Sequence, residues 1–147
     1  MQQYDDNKGK RRFLDIENMN ENDVSEYYLQ NLKLKEEEKQ NRKVELKKRI
    51  RQNNSYEWIL AIKLKDGKII GKIEVLEMGN KTAFVTINLP NKSWKIKYGT
   101  EALDQFIKIC KENDYFSKVE LEKNNSIVER YMKEHDKSSY EIELNVA

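Results

Sequence analysis

The chain has 147 residues, enough for one compact domain with a single core. Charged residues make up 37%, above the roughly 25% of ordinary soluble domains, and apolar residues another 37%, so the core is economical. Lys and Arg number 28 against 26 Asp and Glu, and a net charge of +2 provides no global field for nucleic acid. One cysteine, Cys110, excludes an internal disulfide, and with a single histidine there are too few ligands for a Cys/His metal site.

No run approaches the roughly 20 apolar residues that a membrane span needs. Residues Met1 to Arg12 are polar and have no apolar signal core, so a soluble, reducing, cytoplasmic setting is expected. Residues 1–10, dominated by Gln, Asp, Asn, Gly and Lys, read as a disordered lead, and residues 11–147 as one domain.

In chain order, Arg12–Asn18 predicts a short strand with Phe13, Leu14 and Ile16 as its apolar content. Asn20-Glu21-Asn22-Asp23 then offers N-cap chemistry ahead of Val24, Tyr27, Tyr28 and Leu32 at helical spacing. Lys35–Arg51 predicts a second helix with a thin apolar stripe of Val44, Leu46 and Ile50. Its glutamates Glu36, Glu37 and Glu38 precede Arg42 and Lys43, which suits the helix dipole and side-chain pairing.

The period then changes to two. Tyr56–Leu64 and Ile69–Met78 are strand-like and flank Asp66-Gly67, a hairpin signal. After Gly79-Asn80, Thr82–Leu89 is a further strand, ended by Pro90, which has no N–H for a ladder. A loop over Asn91–Lys97 leads to a helix over Gly99–Glu112, with Leu103, Phe106, Ile107 and Cys110 on one face. A strand at Val119–Glu122, a helix at Asn125–Lys133 and a last strand at Tyr140–Val146 complete the order. A meander followed by a βαβ crossover predicts one mixed, mostly antiparallel sheet of six to seven strands with helices on both faces.

The strand-loop-helix junction over Leu89–Leu103 is the first place where chemistry is expected. The first amides of a helix have no helical carbonyl partner, and with the positive dipole end they can hold an anion such as a phosphate.

The segment Trp94-Lys95-Ile96-Lys97-Tyr98-Gly99-Thr100-Glu101-Ala102-Leu103 resembles the cofactor loop of the Gcn5-related N-acetyltransferases. It is most similar to the branch acting on ribosomal-protein N-termini, whose loop often reads Trp-Gly-Lys-Gly-Tyr-Ala/Gly-Thr-Glu-Ala-Leu. The resemblance implies that fold over Arg12–Val146, with acetyl-CoA as co-substrate and a primary amine as acceptor. It implies that Lys95, Ile96, Lys97, Tyr98, Gly99 and Thr100 hold the pyrophosphate. The strand Thr82–Leu89 is then expected to diverge from Val119–Leu121 and take the pantetheine arm, with an amide near Asn88 or Leu89 polarising the thioester carbonyl. Lys95 and Lys97 stand where the branch has glycine. Were those positions to need positive φ, each lysine would cost about 1 kcal/mol.

A second similar stretch is Asn124 to Lys133, where the family often has an Asn and, seven residues later, a Tyr. The resemblance implies a pantetheine contact for Asn124 and a proton donor to the departing thiolate in Tyr131. A register starting on Asn125 loses the Tyr match. The family's Gly-Phe is replaced by His135-Asp136. For a general base, Glu77, Glu120 and Glu122 lie on or beside strands, and none is singled out; His135 near a helix end is expected to cap carbonyls, and Cys110 to be core. Two other readings stand beside the enzyme: a catalytically silent domain of this fold, and a basic helix over Lys39–Arg51 binding RNA.

Overall fold

The computed structural model describes residues 14–144. Arg12, Phe13, the lead over residues 1–10 and Val146 lie outside the described residues. Within them run β1 (Leu14–Asn18), α1 (Glu21–Leu29), α2 (Glu36–Gln52), β2 (Glu57–Leu64), β3 (Ile69–Gly79), β4 (Thr82–Asn88), α3 (Lys92–Asn113), β5 (Lys118–Leu121), α4 (Ser126–Glu134) and β6 (Glu141–Glu143). The six strands form one sheet in sequence order, β1 to β6. Every neighbouring pair is antiparallel except β4 and β5, which are parallel because α3 carries the chain back across the sheet.

The β2–β3 hairpin closes through Asp66-Gly67 as expected. The Asp66 carboxylate accepts from the Lys68 amide at 2.9 Å, and Gly67 sits at φ +92°, a conformation side chains resist. Alternation then sorts the strands' side chains. Met19, Val24, Tyr27, Tyr28, Leu46, Ile59, Ala61 and Ile69 form a core beneath α1 and α2 on one face. On the other face, Ile62, Ile73, Val75, Val85 and Ile87 pack against Leu103, Phe106 and Cys110 of α3 and Ile127, Val128 and Tyr131 of α4.

The first helix ends at Leu29, so Leu32 is 85% exposed, and Val44 on α2 is also exposed; neither joins the core that the spacing predicts. The mixed-charge helix buries Leu46, and also Lys39, beside Glu36 at 3.4 Å.

The main departure from expectation is the start of α3. The helix begins at Lys92, not near Gly99, so the expected loop over Asn91–Lys97 is helical from its second residue on. The Asn91 side chain caps it, accepting from the amides of Ser93 at 2.9 Å and Trp94 at 3.2 Å. The two lysines supply the reason. Glycine costs a helix interior about 1 kcal/mol relative to alanine while lysine is close to alanine, so the substitutions that distinguish this loop also remove its helix breakers. Neither lysine has positive φ, and no backbone strain is stored there.

Gly99 has a packing role in place of a turn role. A Cβ on it would meet Ile127 of α4 at 2.9 Å, so α3 and α4 approach closely at this residue. Gly71 does the same between β3 and β4, where a Cβ would lie 2.7 Å from the Asn88 carbonyl oxygen.

Candidate functional site

The site is set by where β4 and β5 part. Their ladder runs from Thr82↔Lys118 to Val85↔Leu121 and stops, while β4 continues to Asn88. The expected divergence therefore holds only beyond Val85; Ala83–Val85 are paired to Val119–Leu121. The last ladder bond is the Glu122 amide donating to the Val85 carbonyl at 3.2 Å.

Backbone groups alternate sides along a strand, so Val85 and Ile87 face β5 while Thr86 and Asn88 face β3. Accordingly, the Ile87 carbonyl accepts from the Asn125 side-chain amide at 2.9 Å across the gap. In a continued ladder the Ile87 N–H would donate to the Glu122 carbonyl, but pairing ends one residue short of it. The expectation of an activating amide near Asn88 or Leu89 is thereby narrowed: Asn88 pairs with Lys72 on β3, while Ile87, and by the same alternation Leu89, turn their backbone groups to the side of the gap. Leu89 is fully buried against Gly71.

Asn125, not Asn124, occupies the junction. Its Oδ1 accepts from Ile127 N at 2.9 Å and Val128 N at 3.4 Å, capping α4, while its amide donates to Ile87 and to the Glu122 carboxylate at 3.0 Å. Asn124 is exposed, at φ +59°, and supplies the left-handed turn before the cap. N-cap preference alone fits Asn125 as well as Asn124, so the signal for this residue was local and present.

The N-termini of α3 and α4 both open at this end of the sheet, since each follows a strand of the parallel pair. The first turn of α3 has no acidic residue, and Lys92, Lys95 and Lys97 lie on its first two turns. The amides expected to cradle a pyrophosphate, Lys95 to Thr100, are engaged within the helix, beginning with Lys95 N to the Asn91 carbonyl at 2.9 Å. Ile96 is exposed, and Trp94 and Tyr98 pack at 5.7 Å between ring centres. The Arg130 guanidinium donates to the Lys95 and Ile96 carbonyls at 2.8 and 3.1 Å, tying α4 to α3. Positive charge at this end thus comes from side chains more than from free amides.

Tyr131 is 3% exposed, and its ring lies 4.2 Å from that of His135. Burial and the nearby Asp104 carboxylate push its hydroxyl up to about 12. His135 is the C-cap of α4 and lies 3.6 Å from Asp104. Of the carboxylates, Glu122 stands at the gap and Glu120 is half-buried one pair before it, whereas Glu77 is exposed near the β3–β4 turn. Cys110 is buried, as expected, and burial pushes its thiol up to about 12. Among the described residues no group of three or more His, Cys, Asp or Glu is placed to hold a metal, and no helix is long and apolar enough to cross a membrane.

On the α1 side of the sheet lies a polar cluster without a local sequence signal. The Asn88 side-chain amide donates to the Tyr27 hydroxyl; Lys72 sits 5.4 Å over the Tyr27 ring and pairs with Glu74; and Arg49 joins Glu74 to Glu57. A cavity of about 750 Å³ lies toward the opposite end of the sheet, lined by Arg49 and Glu57 of this cluster with Asn18, Trp58, Phe106 and Tyr115 among others, and contains none of the expected site residues.

No family model and no curated protein sequence matches the chain. Its structure, however, is similar to that of spermidine N-acetyltransferase SpeG from Vibrio cholerae. A chimera of that enzyme with hSSAT matches with a TM-score of 0.66 at 15% identity, over 83% of this chain and 78% of that one. The complex with CoA and spermine matches at 0.58 and 11%, over 74% and 70%, and the dodecameric form in an intermediate state at 0.62 and 13%, over 83% and 77%. The fold is that of the Gcn5-related N-acetyltransferases. Within this acetyltransferase fold, the parted β4 and β5 are the feature that the expected chemistry needs, and the helical start of α3 is where this chain departs from the loop that the resemblance implies.

Proposed function

We propose that the chain is an acyl-CoA-dependent N-acetyltransferase, moving an acetyl group from acetyl-CoA to a primary amine by direct transfer. The observation that carries this reading is the end of the β4–β5 ladder. It leaves the Ile87 N–H and carbonyl facing a gap at the shared N-terminal end of α3 and α4. An extended pantetheine amide can pair there as an added strand, replacing the Asn125 side chain on the Ile87 carbonyl. The Ile87 N–H would then donate to the thioester oxygen and stabilise the tetrahedral oxyanion. Lys92, Lys95 and Lys97, with the positive end of α3, would hold the phosphates as point charges. Tyr98, Gly99 and Thr100 serve in this reading through the helix they build.

Tyr131 lies six residues past the α4 cap, about 9 Å along the axis, and helical side chains slant back toward the N-terminus. A hydroxyl near 12 keeps its proton through neutral pH, as a donor to a departing thiolate must. Glu122, already at the gap, is the carboxylate best placed to take the amine's proton. The complex of a structural neighbour with CoA and spermine supports a CoA donor and an amine acceptor. The resemblance of Trp94–Leu103 to the ribosomal-protein branch favours an α-amine, and a cytoplasmic setting goes with it.

A second reading, a catalytically silent domain of this fold, is favoured by the helical amides of Lys95–Thr100 and the Asn125 bridge. Calorimetry and thermal unfolding with acetyl-CoA and CoA separate the two. A ligand at about 100 times its Kd raises stability by about 2.7 kcal/mol, so a real site moves the transition visibly. No binding at millimolar concentration leaves the silent domain.

A further inference from the structure

We infer that the Asn88 side chain orients the attacking amine and that Tyr27 holds Asn88 in place for it; this rests on the acetyl-transfer reading above. The thioester can be approached from one side only. On the α3 and α4 face, Ile87 and Leu89 are buried in the core, so no acceptor reaches the gap from there. On the opposite face, Thr86 is half-buried and Asn88 is exposed, and this is the face that α1 borders.

Asn88 is the last residue of β4 and follows Ile87, whose N–H faces the gap. Its backbone pairs with Lys72 of β3, and its side chain projects to the α1 face, as the contact with Tyr27 shows. The amide nitrogen is engaged by the Tyr27 hydroxyl. Among the described residues nothing donates to Oδ1, which is left as an acceptor on the α1 face, one residue past Ile87.

Tyr27 is well suited to hold that rotamer. It is 2% exposed, packs edge-on against Tyr28 at 4.9 Å, and carries Lys72 over its ring. Lys72 is the cross-strand partner of Asn88 and is itself paired with Glu74, so the wall behind Asn88 is braced from α1 and from β3. An exposed asparagine whose one end is fixed to a buried tyrosine is not a freely solvated side chain.

In the reaction, one amine N–H donates to Asn88 Oδ1, which turns the nitrogen lone pair toward the carbonyl carbon. The N–C bond forms and the C–S bond breaks; Glu122 takes the proton lost from nitrogen, Tyr131 gives one to the departing sulfur, and proton transfer through solvent restores both groups, leaving an N-acetyl amine and CoA thiol. Asn88 removes no proton. It fixes the direction of approach, and misplacement of a reacting group by about 1 Å costs on the order of 100-fold in rate.

Hydroxylamine tests this, being small enough to reach the thioester whatever the natural acceptor. Acetyl-CoA consumption is followed as thiol release in the parent protein and in Asn88→Leu, Asn88→Asp and Tyr27→Phe. Asn88→Leu is expected to lower kcat by roughly 100-fold with the KM for acetyl-CoA unchanged. Asn88→Asp, which keeps an acceptor oxygen, retains most of the rate, and Tyr27→Phe falls between them. Unchanged kcat in both Asn88→Leu and Tyr27→Phe overturns the inference and leaves the acetyltransferase reading standing. A parent protein that fails to bind acetyl-CoA, or releases thiol no faster than buffer, overturns both.

Discussion

Replacing Lys95 and Lys97 together by glycine, and in parallel by alanine, separates the two things these residues do. Both pairs remove two ammonium groups from the start of α3, but only the glycine pair weakens the helix. Each glycine in a helix interior costs about 1 kcal/mol more than alanine, so the glycine pair is expected to lose about 2 kcal/mol of stability and the alanine pair almost none. For a domain of this size that is a drop in Tm of very roughly 5–10 °C. The Arg130 bonds to the Lys95 and Ile96 carbonyls add to the loss if those turns fray. Thermal unfolding followed by far-ultraviolet circular dichroism reads this directly. Titration with CoA at two salt concentrations reads the charge, since both pairs are expected to weaken binding by about 1 kcal/mol per lysine and to flatten its salt dependence. A glycine pair as stable as the parent would refute a helix beginning at Lys92. Tighter CoA binding in the glycine pair than in the alanine pair would show that freed amides matter more than the lysine charges.

Three further outcomes are expected. Tyr131→Phe lowers kcat by roughly 10²–10⁴-fold at unchanged acetyl-CoA affinity, measured by steady-state thiol release; unaltered turnover assigns Tyr131 to the core alone. Glu74 is pushed up by burial, but Lys72 and Arg49 more than reverse this and hold its carboxyl below the usual range. Its contribution is therefore present above the ordinary carboxylate pKa and lost as pH falls through the lower, folded value, so Glu74→Gln should flatten the acid limb of a stability–pH curve. Cys110, buried with its thiol pushed to about 12, resists a thiol reagent in the native protein and reacts fully once denaturant unfolds it; rapid native labelling would contradict its place in the core.

The element order was legible because each switch of period is abrupt. Asp66-Gly67 sits between alternating runs, Pro90 closes β4, and Leu103, Phe106, Ile107 and Cys110 fall on one helical face that is indeed buried. The expected start of α3 near Gly99 is too late by two turns, since Asn91 followed by seven residues without glycine is a capped helix by local physics. At Asn124 and Asn125, spacing to Tyr131 points to the first, whereas the cap of α4 is the second. The Tyr27–Asn88 contact could not have been read, because the two residues are 61 positions apart and nothing local announces a partner.

Two features of the structure bear on whether CoA can enter, and their sizes differ. The Asn125 bridge is one hydrogen bond, worth about 1 kcal/mol net, and a pantetheine N–H could replace it on the same carbonyl. The helical amides of α3 are a larger matter. Freeing Lys95 to Thr100 would break several helical hydrogen bonds together and give up the Asn91 cap, which alone is worth about 1 kcal/mol. Phosphate binding is then easiest if the helix stays intact and the lysines reach the phosphates by themselves. Such binding would be weaker, more dependent on salt and less exacting in geometry than a backbone cradle. On the acetyl-transfer reading proposed above, the gap admits the donor and the first two turns of α3 would govern how tightly it is held.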